Sequence, residues 1–557
     1  MRKIGLFILL LVAVTLSAKP PKTVNAARNS VASVLVFKGG ELLRSGLGVF
    51  VGNEGEMLSS HSLFIDCDSA VTIDPRGVVR PVMKIFGADE MYDCIRVTVT
   101  PDKKLAPLAV ATRSAAKGEQ LFMVAYGAKK SGPIEPTEVI KVDTITGAHS
   151  YYTVNMPARE KYVSAPLLNA NGELVALLQP VAGSDTAKCH ALSASFIKNL
   201  TIKAVSYNSN RFARIGIKKA LPPTESEALS CLLLQSFSSD STAYKSMLDE
   251  FMEQFPTSHQ GYLYKAEYNV MKLHNYSGAI ADWEKALTLT DKKGEVWYHR
   301  ANTIYANKLY ADSVAGTAYS IDSAMTYATK AVEANNEPVY VQLKGNLHYT
   351  MRDYAAAFEC YSALSSTNLR SADNYVLAAN CKEILGDSDA AILQLDSAIS
   401  TFGRVPITAM APYVLNRGLV KYRAGRYREA VIDYNIYANL LSNKVNANFY
   451  YMREQAEYNG KMYRLALADI DMAIELAPEN ILFLLEKGRI CYRVNMIDDA
   501  IPVLQKAITL APDNADAYYI LARCQMEKGN KVAAKQHLEK AVSLGHPNAA
   551  SLLQDIK

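Results

Sequence analysis

The chain has 557 residues, of which 49% are hydrophobic and 21% are charged, and its formal net charge is +5 at pH 7. A chain of this length exceeds what one hydrophobic core holds, so the sequence predicts several domains. The charge is only mildly basic and forms no lysine and arginine run, which argues against a nucleic-acid-binding protein.

Residues 1–18 have the features of a secretory signal peptide. Arg2 and Lys3 precede the apolar run IGLFILLLVAV, and small residues follow in TLSA. The apolar run is too short to span a membrane comfortably, and no cysteine follows that would indicate a lipoprotein. The short signal is typical of bacteria. We expect an exported protein, periplasmic or secreted, without an integral membrane segment after signal cleavage.

Residues 27–205 contain short alternating apolar runs separated by glycines. The runs are SVASVLVF, GLGVFVG, AVTI, IRVTV, QLFMVAYG and ELVALLQP. Runs of this length with a period of two are typical of strands in an all-β sandwich or barrel.

Three segments of this region resemble the trypsin-like fold, nearest its HtrA-like branch. SVLVFKGGELLRSGLGVFVGNEGEMLSSHSLF is similar to the first barrel with its histidine segment, YDCIRVTV to the aspartate segment, and VSAPLLNANGELVALLQP to the nucleophile loop. The resemblance implies a double β-barrel in which His61 is the general base and Asp93 orients it.

The nucleophile loop departs from the family motif Gly-x-Ser-Gly-Gly-Pro. Counting back from Pro166 places Val163 at the serine, with Ser164 and Ala165 at the two glycines. Valine has no hydroxyl to activate, and bulkier residues disfavour the tight turn that forms an oxyanion hole. This register predicts an inactive protease-like domain.

A second register, with one glycine deleted, makes Ser164 the nucleophile of a remnant triad with His61 and Asp93. It predicts a divergent active protease. Outside this region the sequence has no P-loop, no GxGxxG after a strand and no HExxH motif, and its eight cysteines form no CxxC pair. We therefore expect no cofactor, no metal site and no disulfide framework.

Residues 206–224 contain asparagine, serine and a Pro-Pro pair, and are predicted to be a connector.

Residues 225–557 are predicted to be helical repeats. Ala466, Ala500 and Ala534 are spaced by 34 residues, and another alanine follows each of them by seven. A period of this length is typical of two-helix repeats.

In several units a small residue lies twelve positions before the first of the two alanines. Gly488 precedes Ala500 and Ala522 precedes Ala534, with Gly345, Ala379 and Gly418 in corresponding places. Together with the prolines after the second helix, this spacing resembles the tetratricopeptide repeat. The resemblance implies an all-α solenoid of about eight or nine units, wound into a right-handed superhelix. The segment 309–320 is predicted to be the largest insertion.

The family's groove positions on the first helix of each unit carry tyrosines, arginines and asparagines. They are Tyr264, Tyr268, Tyr298, Asn302, Asn380, Tyr422, Arg423, Arg489, Tyr492, Arg493, Tyr519 and Arg523. Such side chains suit an extended peptide, because tyrosine offers rigid contact area and arginine binds carboxylates. An ordinary solvated helix face is the alternative.

The chain is therefore predicted to be a multidomain protein, with an all-β trypsin-like double barrel followed by an all-α tetratricopeptide-repeat solenoid. The favoured function is an exported scaffold that binds a protein or peptide partner in the repeat groove and uses a non-catalytic protease-like domain as a second binding surface. The alternative is an HtrA-like serine endopeptidase whose repeats recruit substrate. A structural barrel with self-assembling repeats is a third hypothesis, and the sequence leaves the oligomeric state open.

Overall fold

The computed structural model describes residues 19–52, 54–145, 147, 149–180, 187–204, 212, 214–237, 240–310 and 319–556. The predicted signal peptide, most of the insertion and part of the connector lie outside these residues. Contacts divide the chain into two compact units, Met1–Lys265 and Ala266–Lys557. Within the described ranges, no helix combines the length and apolar character needed to cross a membrane.

The first unit contains two closed six-stranded barrels, which confirms the predicted double barrel. The first has the strand order β1-β2-β3-β6-β5-β4 and the second β10-β11-β12-β9-β8-β7. The strands are β1 Val31–Lys38, β2 Glu41–Phe50, β3 Glu56–Ser59, β4 Ser69–Ile73, β5 Val79–Asp89, β6 Cys94–Val99, β7 Gln120–Val124, β8 Ile134–Thr144, β9 Ser150–Val154, β10 Pro166–Leu168, β11 Leu174–Leu178 and β12 Cys189–Ser193. Helix α1, Lys22–Ala26, precedes them and α2, Ala194–Lys198, follows them.

The alternating residues seen in the sequence fill the barrels. In β1, Ala32, Val34 and Val36 are fully buried, because alternate side chains of a strand point to the same face. They pack in the first barrel with Phe50 and Ile85. A separate core fills the second barrel, and a third apolar cluster contains residues of both.

Part of the predicted connector is packed on the first barrel. Ile215 and Ile217 belong to the barrel core. The backbone N–H of Ile85 donates to the carbonyl of Lys218 at 2.9 Å, and the N–H of Ala220 donates to the carbonyl of Ile85 at 2.8 Å. Residues 215–220 thus extend the barrel domain beyond the predicted boundary at residue 205.

From Glu225 onward the described chain forms 19 helices, in agreement with the predicted repeat solenoid. They are α3 Glu225–Ser236, α4 Ser241–Gln254, α5 His259–Met271, α6 Tyr276–Leu289, α7 Lys293–Tyr310, α8 Ile321–Ala334, α9 Pro338–Thr350, α10 Tyr354–Ala363, α11 Ala372–Ile384, α12 Ser388–Ser400, α13 Ala411–Arg423, α14 Tyr427–Leu440, α15 Ala447–Asn459, α16 Tyr463–Leu476, α17 Ile481–Arg493, α18 Ile497–Leu510, α19 Ala515–Glu527, α20 Lys531–Ser543 and α21 Ala549–Gln554.

Small residues lie where paired helices approach most closely. A Cβ atom added to Gly488 would be 2.5 Å from Leu504 Cδ2, and one added to Gly418 would be 2.7 Å from Tyr434 Cε1. The repeated alanines Ala466, Ala500 and Ala534 are fully buried. The small residues that the repeat spacing predicted at helix crossings therefore lie at contacts between paired helices.

Candidate functional site

The protease-like cleft is formed by loops that follow strands of the two barrels. His61 comes after β3 and begins a short 3-10 turn, Ser62–Phe64, and its side chain is 2% exposed. Asp93 lies in the turn before β6 with a φ of 44°. Its carboxylate accepts hydrogen bonds from the backbone N–H of Ser62 at 2.6 Å and from the Ser62 hydroxyl at 2.9 Å. The structure thus brings the predicted histidine and aspartate segments together.

Aromatic packing fixes the turn that carries Asp93. The neighbouring Tyr92 has its ring centroid 5.5 Å from that of Phe196 on α2 and 6.3 Å from that of Tyr151 on β9. The second barrel and its terminal helix therefore hold the aspartate turn of the first barrel.

The nucleophile loop has an unusual backbone conformation at Ser164. Ser164 has a φ of 66°, in the left-handed region that glycine adopts without strain. Val163 has a φ of −57° and a ψ of 132°. A glycine would fit the backbone at Ser164 without strain, and Ser164 is only 3% exposed.

Four consecutive backbone N–H groups of this loop already have acceptors inside the protein. The donors and their carbonyl acceptors are Tyr162 to Arg159 at 2.9 Å, Val163 to Glu160 at 3.1 Å, Ser164 to Leu178 at 2.8 Å and Ala165 to Tyr162 at 2.9 Å. An oxyanion hole requires N–H groups aimed at the position where negative charge develops. In this conformation these four groups donate elsewhere.

A cavity of about 480 Å³ lies at the loop. Its lining includes Val163 and Lys161 from the nucleophile loop, Ser60 and Ser62 from the histidine segment, and Arg44 from β2. The Arg44 guanidinium donates to the carbonyls of Leu63, at 3.3 Å, and Ile65. The lining also includes the carboxylate of Glu160 and the apolar side chains of Leu47 and Leu63, so the cavity is of mixed polarity. No sequence signal singled out Arg44.

Several predicted groove residues on the C-terminal repeats pack against aromatic rings. The Arg489 guanidinium lies 3.9 Å from the ring centroid of Tyr458, which is not a predicted groove residue. The Arg523 guanidinium lies 4.5 Å from the ring centroid of Tyr492 and 5.8 Å from that of Tyr519. The ring of Tyr519 also stacks on His546 at 3.9 Å.

Two of the predicted groove arginines are already paired with carboxylates. Arg489 donates to Glu486 at 2.6 Å. Arg423 forms two parallel hydrogen bonds with Glu383, at 2.5 and 3.0 Å. Arg493, in contrast, is exposed, and a hydrogen bond with the neutral Tyr463 is the main cause that raises its pKa. The repeat spacing did not predict that Glu486 and Glu383 bind these arginines, because neither glutamate lies at a groove position of the family.

The remaining predicted groove residues differ in exposure. Asn302 is exposed, whereas Tyr264 and Asn380 are partly buried and Tyr268 is 9% exposed. Tyr298 stacks on Tyr340 at 4.9 Å. The hydroxyl of Tyr422 accepts a hydrogen bond from Asn459 at 3.1 Å.

Among the described residues, no three histidine, cysteine, aspartate or glutamate side chains are grouped so that they could hold a metal ion. The eight cysteines are free thiols, and burial raises the pKa of Cys67 and Cys491 to about 11. Such thiols stay protonated and unreactive near neutral pH.

Comparisons with known families identify both parts of the chain. Residues 46–177 match the trypsin-like peptidase domain, and residues 492–556 match the tetratricopeptide repeat. The chain therefore combines a trypsin-like peptidase domain with tetratricopeptide repeats.

Similar proteins cover only parts of the chain. Sperm-associated antigen 1 of Rattus norvegicus is 32% identical over 120 residues, which are 22% of this chain and 13% of that protein. Its Mus musculus counterpart is 31% identical over 114 residues, 20% of this chain and 12% of that protein. The chain thus spans about an eighth of the length of these curated relatives.

Solved protease structures align with part of the chain at low TM-scores. The active form of the Rv3671c protease from M. tuberculosis is 15% identical with a TM-score of 0.28, covering 35% of this chain and 85% of that one. The serine endoprotease from Yersinia pestis is 14% identical with a TM-score of 0.28, covering 32% and 65%. The double-barrel assignment rests on the strand order and the family match, and not on these alignments.

Proposed function

We propose that this protein is an exported interaction scaffold. Its repeats bind a protein or peptide partner, and its trypsin-like domain serves as a second, non-catalytic binding surface. The observation that carries this proposal is the hydrogen bond from the N–H of Val163 to Glu160 in the nucleophile loop, where the favoured register places this valine at the family's serine. Acyl transfer needs both a nucleophile and a stabilised oxyanion, and this loop supplies neither in its present conformation.

Binding by the repeats is supported by the match to a family of interaction modules and by the chemistry of the predicted groove. Rigid tyrosines and unneutralised arginines such as Arg493 offer contact area and charge to an extended acidic chain. Export is supported by residues 1–18, whose charged start, apolar core and small-residue end are those of a signal peptide.

The second candidate function is a serine endopeptidase that uses Ser164. One observation favours it: Asp93 binds Ser62 and thus lies beside the segment that carries His61. Two members of the family's triad are therefore kept in the cleft. In this case Ser164 would have to leave its buried position and the loop would have to reorient its N–H groups.

An active-site-directed fluorophosphonate probe distinguishes the two functions. The full-length protein, its Ser164→Ala variant and a Ser195→Ala control are treated with the probe. Ser195 is a useful control because its hydroxyl lies 3.1 Å from a ring nitrogen of His149, so it reports unspecific labelling of a serine near a histidine. We expect no labelling of Ser164. Labelling that disappears only in Ser164→Ala would establish the endopeptidase and overturn the non-catalytic assignment.

Photocrosslinking in living cells tests the scaffold. A photoreactive aromatic amino acid replaces Tyr492 in the predicted groove, which keeps Arg493 intact, or, as a control, the exposed Lys506 on α18. We expect one defined crosslinked partner from position 492 and none from position 506. Equal crosslinking from both positions would place the binding surface outside the groove. Fractionation of the same cells tests export.

A further inference from the structure

One repeat carries a buried glutamate where five others carry a small residue. Twelve positions before the first alanine of the second helix, five units have glycine or alanine, and the unit formed by α15 and α16 has Glu454. The unit formed by α5 and α6 has Glu267 at this spacing, but that side chain is exposed. The corresponding Gly488 has no room for even a Cβ atom without displacing Leu504. Glu454 is 0% exposed. A carboxyl group is thus built into a tight crossing of two helices.

The carboxyl of Glu454 is only partly satisfied. Its Oε2 accepts a hydrogen bond from the Gln455 side chain at 2.7 Å, whereas its buried Oε1 has no hydrogen-bond partner. Glu457 lies one turn later on the same face, is 3% exposed, and has a buried Oε2 without a partner. Residues three apart on a helix are neighbours, so two incompletely satisfied carboxyl groups share this interior.

The charged groups around the pair already neutralise one another. Arg453 donates to both carboxylate oxygens of Asp469, at 2.6 and 2.7 Å. Arg489 is paired with Glu486. Arg489 also attracts Glu454, and Arg453 also attracts Glu457. Among the described residues these two positive charges therefore face four carboxyl groups, too few to balance Glu454 and Glu457 as well as Asp469 and Glu486. Tyr451 on α15 lies near Glu454, and Tyr422 on α13 lies near Tyr451. The surrounding arginines have further partners: the Tyr458 ring packs on Arg489, and the Asn435 side chain accepts a hydrogen bond from Arg453.

A buried carboxylate without a counter-ion is costly, and such a group takes up a proton instead. Burial raises the pKa of Glu454 to about 7. Burial, and then repulsion from Asp469, raise the pKa of Glu457 to about 8. A proton also gives Glu457 an O–H that can donate to Asp469, whereas two ionised carboxylates can only accept.

We propose that Glu454 and Glu457 form a proton-operated lock between α15 and α16. Both carboxyl groups carry protons when the helix crossing is closed. Loss of these protons places uncompensated charge in the interior and loosens α15 and α16, while α19 and α20 stay folded. This inference concerns the solenoid itself and does not depend on the proposed partner or on the protease-like domain.

The sign of the pH dependence follows from linkage. Both carboxyl groups have a higher pKa in the folded unit than the ordinary value of 4.5, so the folded state binds more protons than the unfolded state. Their contribution to the stability of the unit is fully present below pH 4.5. It falls as the pH rises through the folded pKa values, so the lock opens as the solution becomes alkaline.

Hydrogen exchange of the full-length protein tests the lock. Protection factors, corrected for the intrinsic exchange rate, are measured between pH 5 and 9 for peptides from α15–α16 and from α19–α20. We expect protection in α15–α16 to fall at least about tenfold over this range, since one proton per pH unit corresponds to a factor of ten. Peptides from α19–α20 should not change. A flat profile in α15–α16 would overturn the proposal.

Variants identify the responsible groups. In Glu454→Gln/Glu457→Gln the neutral amides cannot ionise, so the protection of α15–α16 should become independent of pH. Glu475→Gln removes an exposed carboxylate from α16 and should keep the wild-type profile. If the double variant kept the wild-type profile, the two glutamates would not be the lock. If the double variant does not fold, infrared spectroscopy of the wild-type protein tests the inference, since only protonated carboxyl groups give a carboxyl C=O band. We expect this band to be present at neutral pH and to disappear at pH 9. Absence of the band at pH 6 would contradict the inference.

Discussion

The backbone N–H of Val163 donates a hydrogen bond to the carbonyl oxygen of Glu160 at 3.1 Å, within the short turn Glu160–Tyr162. This bond and the missing hydroxyl are separate defects. In the register that places Val163 at the family's serine, the valine offers no nucleophilic hydroxyl, and the turn directs a backbone donor away from the cleft. Restoring one of them does not restore the other.

We predict that Val163→Ser does not create a protease. The new hydroxyl would lie near the histidine segment, but loss of a single oxyanion donor reduces kcat by about 10² to 10³ in serine proteases, and the N–H of residue 163 donates to Glu160 instead. Cleavage of casein and of fluorogenic peptides should stay at the background of the His61→Ala/Val163→Ser control. Cleavage clearly above this background would mean that the loop reorganises when the serine is present.

Glu250 on α4 is expected to fasten the helix to the first barrel through Lys84 and Lys218, which lie 2.8 and 3.0 Å from its carboxylate. Burial alone raises the pKa of Glu250, but hydrogen bonds and attraction from the two lysines outweigh it and hold the pKa below its usual value of 4.5. Its contribution to stability is therefore present above pH 4.5 and is lost as the pH falls through the lower folded pKa.

Glu250→Gln should reduce the free energy of unfolding of this region by about 1–3 kcal/mol at pH 7, a value discounted because both lysines are partly exposed. The difference from the wild type should vanish in strong acid. Glu253→Gln, an exposed position on the same helix, is the control. Denaturant unfolding at pH 7 and pH 3 measures both effects, and an equal loss at the two pH values would contradict the ion-pair explanation.

The crossing at Gly488 gives a third prediction. Because a Cβ atom there would already be 2.5 Å from Leu504, Gly488→Trp must push α17 and α18 apart. We expect a loss of at least about 1–3 kcal/mol, the usual cost of overpacking. Lys506→Trp, on the exposed side of α18, should unfold like the wild type. Unchanged thermal unfolding of Gly488→Trp would show that the helices do not cross there.

The period of 34 residues predicted two-helix repeats, and the alternation of apolar residues predicted an all-β sandwich or barrel; the double barrel and the tetratricopeptide solenoid came from the resemblance to known families. Ala466 and Ala500 are buried as the repeat spacing requires, and Val34 and Val36 fill a barrel as a period of two requires. The packing of Ile215 and Ile217 was not predicted, since a short stretch beside Pro-Pro carries no periodicity of its own.

Site details depended on contacts between distant segments. The motif located Val163, but the hydrogen bond of its N–H is a property of the folded turn. The spacing located Arg489 and Arg423, but not that Glu486 and Glu383 already bind them. Glu454 stands at a position that the sequence marks as a helix crossing, although its burial and unpartnered oxygen required the structure.

The last prediction concerns Arg493 and Arg423, two exposed arginines of the predicted groove with different partners. The charge of Arg423 is balanced by Glu383, whereas Arg493 has the neutral Tyr463 as its hydrogen-bond partner. An incoming carboxylate must displace Glu383 to use Arg423 but can bind Arg493 directly. For an acidic peptide with a free C-terminal carboxylate, Arg493→Ala should therefore weaken binding by about 1.5–3 kcal/mol, the value of a hydrogen bond to a charged group. Arg423→Ala should have a smaller effect. Binding of the same peptide with an amidated C-terminus shows how much of the affinity comes from the terminal carboxylate and how much from the acidic side chains. Calorimetry on the full-length protein gives the affinities, with thermal unfolding as a check on folding. Equal binding by the wild type and Arg493→Ala would place the peptide away from α17.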